Sequence, residues 1–333
     1  MPYEKVKIYT TKRLANILEK DAETFEFVKT DNFTPNKNAL LSRVIVNYFP
    51  VYNTQQEKIY DKIKNLLQTN STLNNTQVDT VGNLLASNFN IFSPFDKNEK
   101  YDTLVSLKPT KETSPILDFV DTYLLQDISL SEYFRNMFAS YASLPQDKRE
   151  EIVFAPIFKS INEAIKKHKN IFITTKTGYS KLEISPYAFA RSKEELHLYL
   201  LFKNKNSCRT VKLAKITSVS ILEKDSEFSS EDKQIFQKMQ KLGAQFTVFP
   251  NSQNVVVKLT QKGVALFHKI YLHRPIPIKV DKNIFTFECS YIQAIQYFSR
   301  FGKEAHVLEP EYVKDAIFHF HKEAWESYEK NQN

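Results

Sequence analysis

Two octapeptides far apart in the chain share one pattern, and that repetition constrains the fold more than any single motif. KVKIYTTK (residues 5–12) and LVSLKPTK (residues 104–111) align Val6 with Val105, Ile8 with Leu107, Thr11 with Thr110 and Lys12 with Lys111. Each alternates apolar and polar side chains, the pattern of a strand with one buried face. Each is followed by a helical stretch, RLANILEKDAETFEF or SPILDFVDTYLLQD. A second one comes next, NKNALLSRVIVNYF (36–49) or SLSEYFRNMFASYA (129–142). Asn36 and Ser129 open these second helices and are good caps for a first turn. Strand, helix, helix therefore occurs twice. Val6, Ile8, Val105 and Leu107 are expected in a core, while Lys5, Lys7 and Tyr9 share the outer face with Leu104, Ser106 and Lys108. The plainer alternative is two helical hairpins with a short antiparallel ribbon and no binding role.

This order resembles the ribbon–helix–helix fold of DNA-binding proteins. That fold takes one strand from each of two chains, so a tandem copy implies a ribbon completed within one chain. The resemblance implies a nucleic-acid role, because a two-stranded ribbon fits the major groove and turns its outer side chains to base edges. The implied contacts are Lys5, Lys7, Tyr9, Ser106 and Lys108 on the ribbon. Asn36, Lys37 and Asn38 join them at one second-helix N-terminus, and Ser129–Ser131 form the other; the amides there suit phosphate. The second copy has Leu104 where the first has Lys5, so its outer face is the poorer one.

A length of 333 residues points to two or three domains. Within the first block, QTNSTLNNTQ (68–77) is polar and reads as a loop. A second block, about 151–223, opens with the helical run IFKSINEAIKKHKN and continues as short strands at 171–175, 179–184, 196–203, 209–213 and 216–222. Five short strands after a helix suggest a small barrel. The acidic-polar EKDSEFSSED (223–232) reads as a connector. Beyond it, segments at 255–259, 262–270, 276–280, 284–289, 291–300 and 306–308 follow in the order βαββαβ, a ferredoxin-like plan. Gly302 is expected to turn the chain before the last strand, and Pro310 to open the final helix at its first position.

Three stretches in these later blocks resemble the WYL family of bacterial regulators. SPYAFARSKEELHLYLLF (185–202) is similar to that family's proline-led strand, turn and Trp-Tyr-Leu strand, with Leu198-Tyr199-Leu200 as the triplet. RTVKLAKI (209–216) is similar to its Arg-x-Phe-Arg-Leu-Asp-Arg-Ile segment. Arg209, Leu213 and Ile216 are kept, Lys212 and Lys215 stand for two arginines, and Val211 and Ala214 depart from the pattern. FSRFGKEAHVLEPEYVKDAI (298–317) looks like the C-terminal extension, of WCX type, that follows WYL domains. The resemblance covers about residues 155–328. It implies a non-enzymatic sensor with a nucleic-acid or ligand face made of Tyr187, His197, Tyr199, Arg209, Lys212 and Lys215.

Alternation along the strand places His197, Tyr199 and Leu201 on one side and Leu196, Leu198, Leu200 and Phe202 on the core side. His197 and Tyr199 are thus expected to face outward, where rings beside cations suit single-stranded nucleic acid. The same alternation turns Lys212 away from Arg209, so the three cations meet only through a bulge or at the strand's end. Planar bidentate pairing with phosphate is open to Arg209 alone. The alternative is a solvated barrel face with one partly buried tyrosine.

Enzyme signatures are missing. The chain has five glycines, none adjacent, no Cys-x-x-Cys and no His-Glu-x-x-His. His319 and His321 lie two apart on a helix and make a poor metal pair, while His268 and His273 flank a helix end. In DKREE (147–151) the carboxylates alternate with Lys148 and Arg149 and read as a solvated face. Cys208 and Cys289 lie in separate strand-like runs, which argues against a disulfide and for a reducing cytoplasm. MPYEKVKIYT lacks the apolar core of a leader, and no run approaches the ~18 apolar residues of a membrane span. A formal net charge of +8 is compatible with nucleic acid or an acidic surface.

These readings give an α+β protein of three modules. They are a tandem ribbon–helix–helix region over 1–150 (half-motifs at about 3–50 and 101–144), an SH3/Sm-like WYL β-barrel over 151–223, and a ferredoxin-like C-terminal extension over 233–330. The combination resembles the accessory proteins of type VI-D CRISPR systems. That implies a cytoplasmic homodimer which binds single-stranded RNA and stimulates an RNA-guided RNase, with no cofactor, metal or membrane. Two alternatives stay open: a ligand-responsive transcriptional regulator that binds operator DNA through the ribbon, and a protein–protein adaptor. Phe318, Phe320, Trp325 and Tyr328 on the last helix offer apolar surface for a dimer or for the helix's own sheet.

Overall fold

The computed structural model describes residues 4–29, 33–88, 100–125, 128–177, 180–248 and 253–330. The architecture is mixed α+β, with a helical N-terminal region and several antiparallel sheets, and it divides into two compact units, Met1–Phe158 and Lys159–Asn333.

In the first unit β1 (Val6–Thr10) leads into α1 (Lys12–Thr24), α2 (Lys37–Asn70) and α3 (Asn75–Asn88). β2 (Thr103–Leu107) leads into α4 (Ser114–Tyr123), α5 (Leu130–Ala142) and α6 (Gln146–Val153). The helix starts follow the capping residues. Thr11 accepts from the Leu14 N–H, Asn36 from that of Ala39 and Ser129 from that of Glu132. β1 and β2 pair antiparallel within the one chain, Val6 opposite Leu107 and Ile8 opposite Val105. All four are buried in a core with Leu14, Leu18, Val44, Phe134 and Phe138.

Three expectations for this unit are corrected. α2 does not stop at Phe49 but continues through Pro50 for 34 residues in all. Proline removes one helical hydrogen bond, yet the far half of α2 has a partner in α3. There the Tyr60 hydroxyl donates to Asp79 at 2.9 Å and Lys64 pairs with the same carboxylate at 2.6 Å. The loop read at 68–77 shrinks accordingly to 71–74, because Asn74 accepts from the Gln77 N–H and Gln77 accepts from the Asn74 N–H in a reciprocal cap. DKREE is not a solvated face. Arg149 grips Asp21 with two bonds of 2.7 and 2.8 Å, Tyr141 donates to the same carboxylate, and Glu150 is fully buried. Gln126 and Asp127, the end of the second copy's first helical stretch, lie outside the described residues.

α7 (Ala155–Lys166) begins in the first unit and ends in the second, where it precedes β3 (Lys169–Thr175), β4 (Leu182–Arg191), β5 (Leu198–Asn204), β6 (Ser207–Lys212), a 3-10 turn (Leu213–Lys215) and β7 (Ile216–Asp225). These strands form one antiparallel sheet in the order β6-β5-β4-β3-β7. Tyr179, the expected start of the second strand, lies outside the described residues. The expected connector is largely structured. β7 runs to Asp225, and Ser229 with Asp232 forms a capping box that starts α8 (Ser230–Leu242).

β8 (Val255–Leu259), α9 (Gln261–Lys269), β9 (Pro277–Asp281), β10 (Ile284–Phe287), α10 (Tyr291–Phe298), β11 (Ala305–Glu309) and α11 (Glu311–Lys330) complete the chain. Their strands pair antiparallel in the order β11-β8-β10-β9 over a core of Val255, Val257, Phe287, Tyr297 and Phe298. Gly302 makes the turn before β11 with a φ of 52°. Pro310 stands just before the first residue of α11 and not inside it. Among the described residues no helix is long and apolar enough to cross a membrane.

One close approach packs the start of α9 against the chain just before β11. A Cβ on Gly263 would lie 2.2 Å from the Glu304 carbonyl oxygen, which accepts from the Thr260 N–H at 3.1 Å. Gly263→Ala must push that backbone away and is expected to lower stability by about 1–3 kcal/mol. The urea midpoint reads this, and an unchanged midpoint would mean that the approach to Glu304 relaxes without cost.

Candidate nucleic-acid interface

On the outer side of the ribbon Lys7 lies directly opposite Ser106, and Tyr9 opposite Leu104. Lys5, Lys7, Tyr9, Leu104 and Lys108 are exposed and Ser106 is half-buried. The pleat puts them there because Val6, Ile8, Val105 and Leu107 occupy the core side.

The second helices hold the strands crosswise. Asn38, near the start of α2, accepts from the Lys108 N–H at 2.7 Å and donates to the Lys108 carbonyl at 3.2 Å. Ser131, the matching position of α5, accepts from the Tyr9 N–H at 3.0 Å, and Arg135 donates to the Tyr9 carbonyl at 3.3 Å. Tyr9 and Lys108 occupy the same place in the two octapeptides, so each half clamps the strand of the other in an approximate two-fold arrangement. Unpaired strand-edge groups invite pairing with foreign strands; at Tyr9 and Lys108 they are satisfied internally. The Arg135 guanidinium also lies 4.0 Å from the centroid of the Tyr101 ring, which braces the entry to β2.

The eight residues expected at this site therefore divide. Lys5, Lys7, Tyr9, Ser106 and Lys108 form one continuous surface. Asn36 caps α2, Asn38 works in the clamp, and Lys37 pairs with Glu19 at 3.1 Å, so these three also have a part in the scaffold. Ser131 was expected to offer its amide to phosphate; its clamp on Tyr9, and the part of Arg135, went unread, although aligning NKN (36–38) with SLS (129–131) sets Ser131 beside Asn38.

On the five-stranded sheet the expected outward face is covered. α8 lies over it, burying Leu201 and Cys208 with Ile235, Phe236 and Met239, and both Tyr187 and Tyr199 pack against this cluster. The Tyr187 ring stacks on Phe236 at 4.3 Å between centroids and 14° between planes, which takes up one face of the ring. His197 is buried. It precedes β5 in a turn where its N–H donates to the Ser192 hydroxyl and its carbonyl accepts from the Ser192 N–H. Leu196 takes a φ of 58° in that turn, which resets the alternation, so Leu196 is exposed and His197 is inside.

The Tyr199 hydroxyl donates to Glu195 at 3.2 Å, and His273 Nε2 meets the other oxygen of that carboxylate at 2.9 Å. Burial opposes the charge on Glu195, but these two bonds outweigh it and hold its carboxyl below the usual range. Lys212, directly opposite Tyr199, adds its charge to the same group. A carboxylate of the chain thus lies beside Tyr199 and Lys212, where the resemblance implies an anionic ligand. Arg209 lies opposite Phe202 on the other face, and Lys215 closes the 3-10 turn. The three cations are not brought together.

Burial pushes the Cys208 and Cys289 thiols up to about 12, Cys208 with help from Asp232. Among the described residues no group of three or more His, Cys, Asp and Glu side chains could hold a metal ion.

No protein-family model matches the sequence, and no curated protein does. A crystal structure of a CRISPR Cas-related protein shares the fold. The two align with a TM-score of 0.62 at 19% identity, over 100% of this chain and 96% of the other. The proteasome accessory factor B/C of Arthrobacter aurescens aligns over 64% of this chain and 35% of its own at 14% identity. Its TM-score of 0.25 is too low to bear on the fold.

Proposed function

We propose that this protein is a non-enzymatic regulator that binds nucleic acid through the outer face of the β1–β2 ribbon and acts as an accessory of an RNA-guided CRISPR nuclease. One observation carries the reading: Lys5, Lys7, Tyr9, Ser106 and Lys108 share an exposed face on a ribbon whose backbone is clamped from both sides. Amines there suit phosphates, and Tyr9 with Leu104 offers apolar contact to bases. Likeness over the whole chain to a CRISPR Cas-related protein supports the accessory role. The WYL resemblance supports regulation, with the five-stranded sheet as the SH3/Sm-like barrel and the four-stranded sheet as the ferredoxin-like extension. Exposed Phe318, Trp325 and Tyr328 on α11 support pairing of two copies there. Exposed Arg209 and Lys215 add separate contacts for a single strand.

The two-fold ribbon favours a second reading, an operator-binding transcriptional regulator, because that geometry suits a duplex major groove. Titrations with a single-stranded RNA and a duplex DNA of equal length, at several salt concentrations, separate the two. Lys5→Ala with Lys7→Ala is expected to flatten the salt dependence by about one unit for each phosphate no longer neutralised. Arg209→Ala is expected to weaken single-strand binding alone. Ribbon variants that bind both ligands like wild type would remove the ribbon from consideration.

A further inference from the structure

The five-stranded sheet carries a groove that takes no part in the ribbon interface. It encloses about 780 Å³, inside the ~300–1,000 Å³ usual for small-molecule sites. Phe172 of β3 and Glu183 of β4 stand directly opposite each other on its floor. Beside them is Asn170, 5% exposed, whose Oδ1 accepts from the Ser185 and Ser226 hydroxyls at 2.8 and 2.9 Å. Asn170 Nδ2 and Lys224 Nζ both donate to Glu183 Oε1, at 3.1 and 2.8 Å. These bonds fix the carboxylate and leave Oε2 with no hydrogen bond among the described residues.

Three further lysines line the groove: Lys203, which pairs with Asp232, and Lys181 and Lys205, neither of which has a carboxylate partner among the described residues. Lys181 and Lys205 sit in left-handed backbone, with φ of 54° and 52°. Glycine or asparagine would adopt that conformation more easily than lysine. Lys181 Nζ also lies 5.2 Å from the centroid of the Phe172 ring, so a cation and an aromatic face meet in the groove. Glu183, Glu227 and Asp225, the last paired with Lys169 at 2.8 Å, repel phosphate and accept from hydroxyls, whereas Lys181 and Lys205 do the opposite. A ligand that satisfies all of them carries hydroxyl donors and an anion on one compact frame.

We propose that this groove binds a phosphorylated ribose, with its phosphate on Lys181 and Lys205, its hydroxyls donating to Glu183 Oε2, and an apolar ring face against Phe172. A free nucleotide and the phosphorylated end of an RNA strand both present this chemistry. The test is calorimetric titration of the full chain with adenosine 5′-monophosphate, its 2′-deoxy counterpart, inorganic phosphate, and a short RNA with and without a 5′-phosphate. The ribonucleotide is expected to saturate the protein and to bind more tightly than the deoxynucleotide or phosphate. Lys181→Asn with Lys205→Asn relieves the backbone, so it is expected to be at least as stable as wild type while binding about tenfold or more weakly. RNA that competes with the nucleotide only when 5′-phosphorylated identifies the strand end as the source; RNA that does not compete identifies the free nucleotide. No saturable nucleotide binding, phosphate binding as tight as the nucleotide, or a double variant that binds like wild type would each overturn the site. Lys5→Ala with Lys7→Ala is expected to bind the nucleotide normally, so failure here and failure of the ribbon interface are separate results.

Discussion

Arg149→Ala is expected to remove most of the stability of the N-terminal unit. The guanidinium grips Asp21 through two hydrogen bonds and also donates to the Leu144 carbonyl at 2.6 Å. Asp21 is only 2% exposed and accepts from Tyr141, so removal of the arginine strands a carboxylate among apolar side chains. Breaking a buried pair from one side costs about 3–5 kcal/mol, a large share of a typical domain's stability. Arg149→Lys is expected to rescue little, because a lysine cannot bond both carboxylate oxygens in the same plane. Asp21→Ala combined with Arg149→Ala is expected to recover part of the loss, since no charge is then left unpaired. Urea denaturation of the three variants measures this. A shift below about 1 kcal/mol for Arg149→Ala, the range of an exposed pair, would show that Asp21 reaches water.

Phe236→Ala is expected to have a comparable effect in the second unit. Phe236 is fully buried, stacks on Tyr187 and meets Phe228 edge-on at 5.9 Å between centroids. Its loss opens a cavity beneath α8, and Phe-to-Ala changes in cores cost about 3–5 kcal/mol. Because α8 covers the β5 face, the same variant is expected to expose Tyr187 and Tyr199, read as faster tyrosine iodination mapped by mass spectrometry. Unchanged modification of both tyrosines, together with a wild-type midpoint, would mean that α8 is held by other contacts.

Much of the N-terminal unit was legible because its signals are local. Alternation at 5–9 and 104–108 gave the ribbon, and Asn36 and Ser129 gave the helix starts. What was missed depends on partners distant in the chain. Arg149 and Asp21 are 128 residues apart, and nothing near either announces the other. α8 buries only Asp232, Ile235, Phe236 and Met239, a thin apolar stripe set among the lysines and glutamines of KQIFQKMQKL (233–242). The His197 parity failed at one residue, because leucine is a poor choice for the left-handed conformation that Leu196 adopts. In the candidate site the exposed ribbon residues were readable, but the clamp was not, since its hydrogen bonds join one half-repeat to the other.

A ribbon built from two separate chains forms only above a threshold concentration and must present every side chain twice. Here a covalent tether supplies the second strand at any dilution. The halves are also free to diverge, and they have: Lys5 and Leu104 hold equivalent positions with unlike chemistry. Such a surface can carry different chemistry on its two strands, which a ribbon shared by two identical chains cannot.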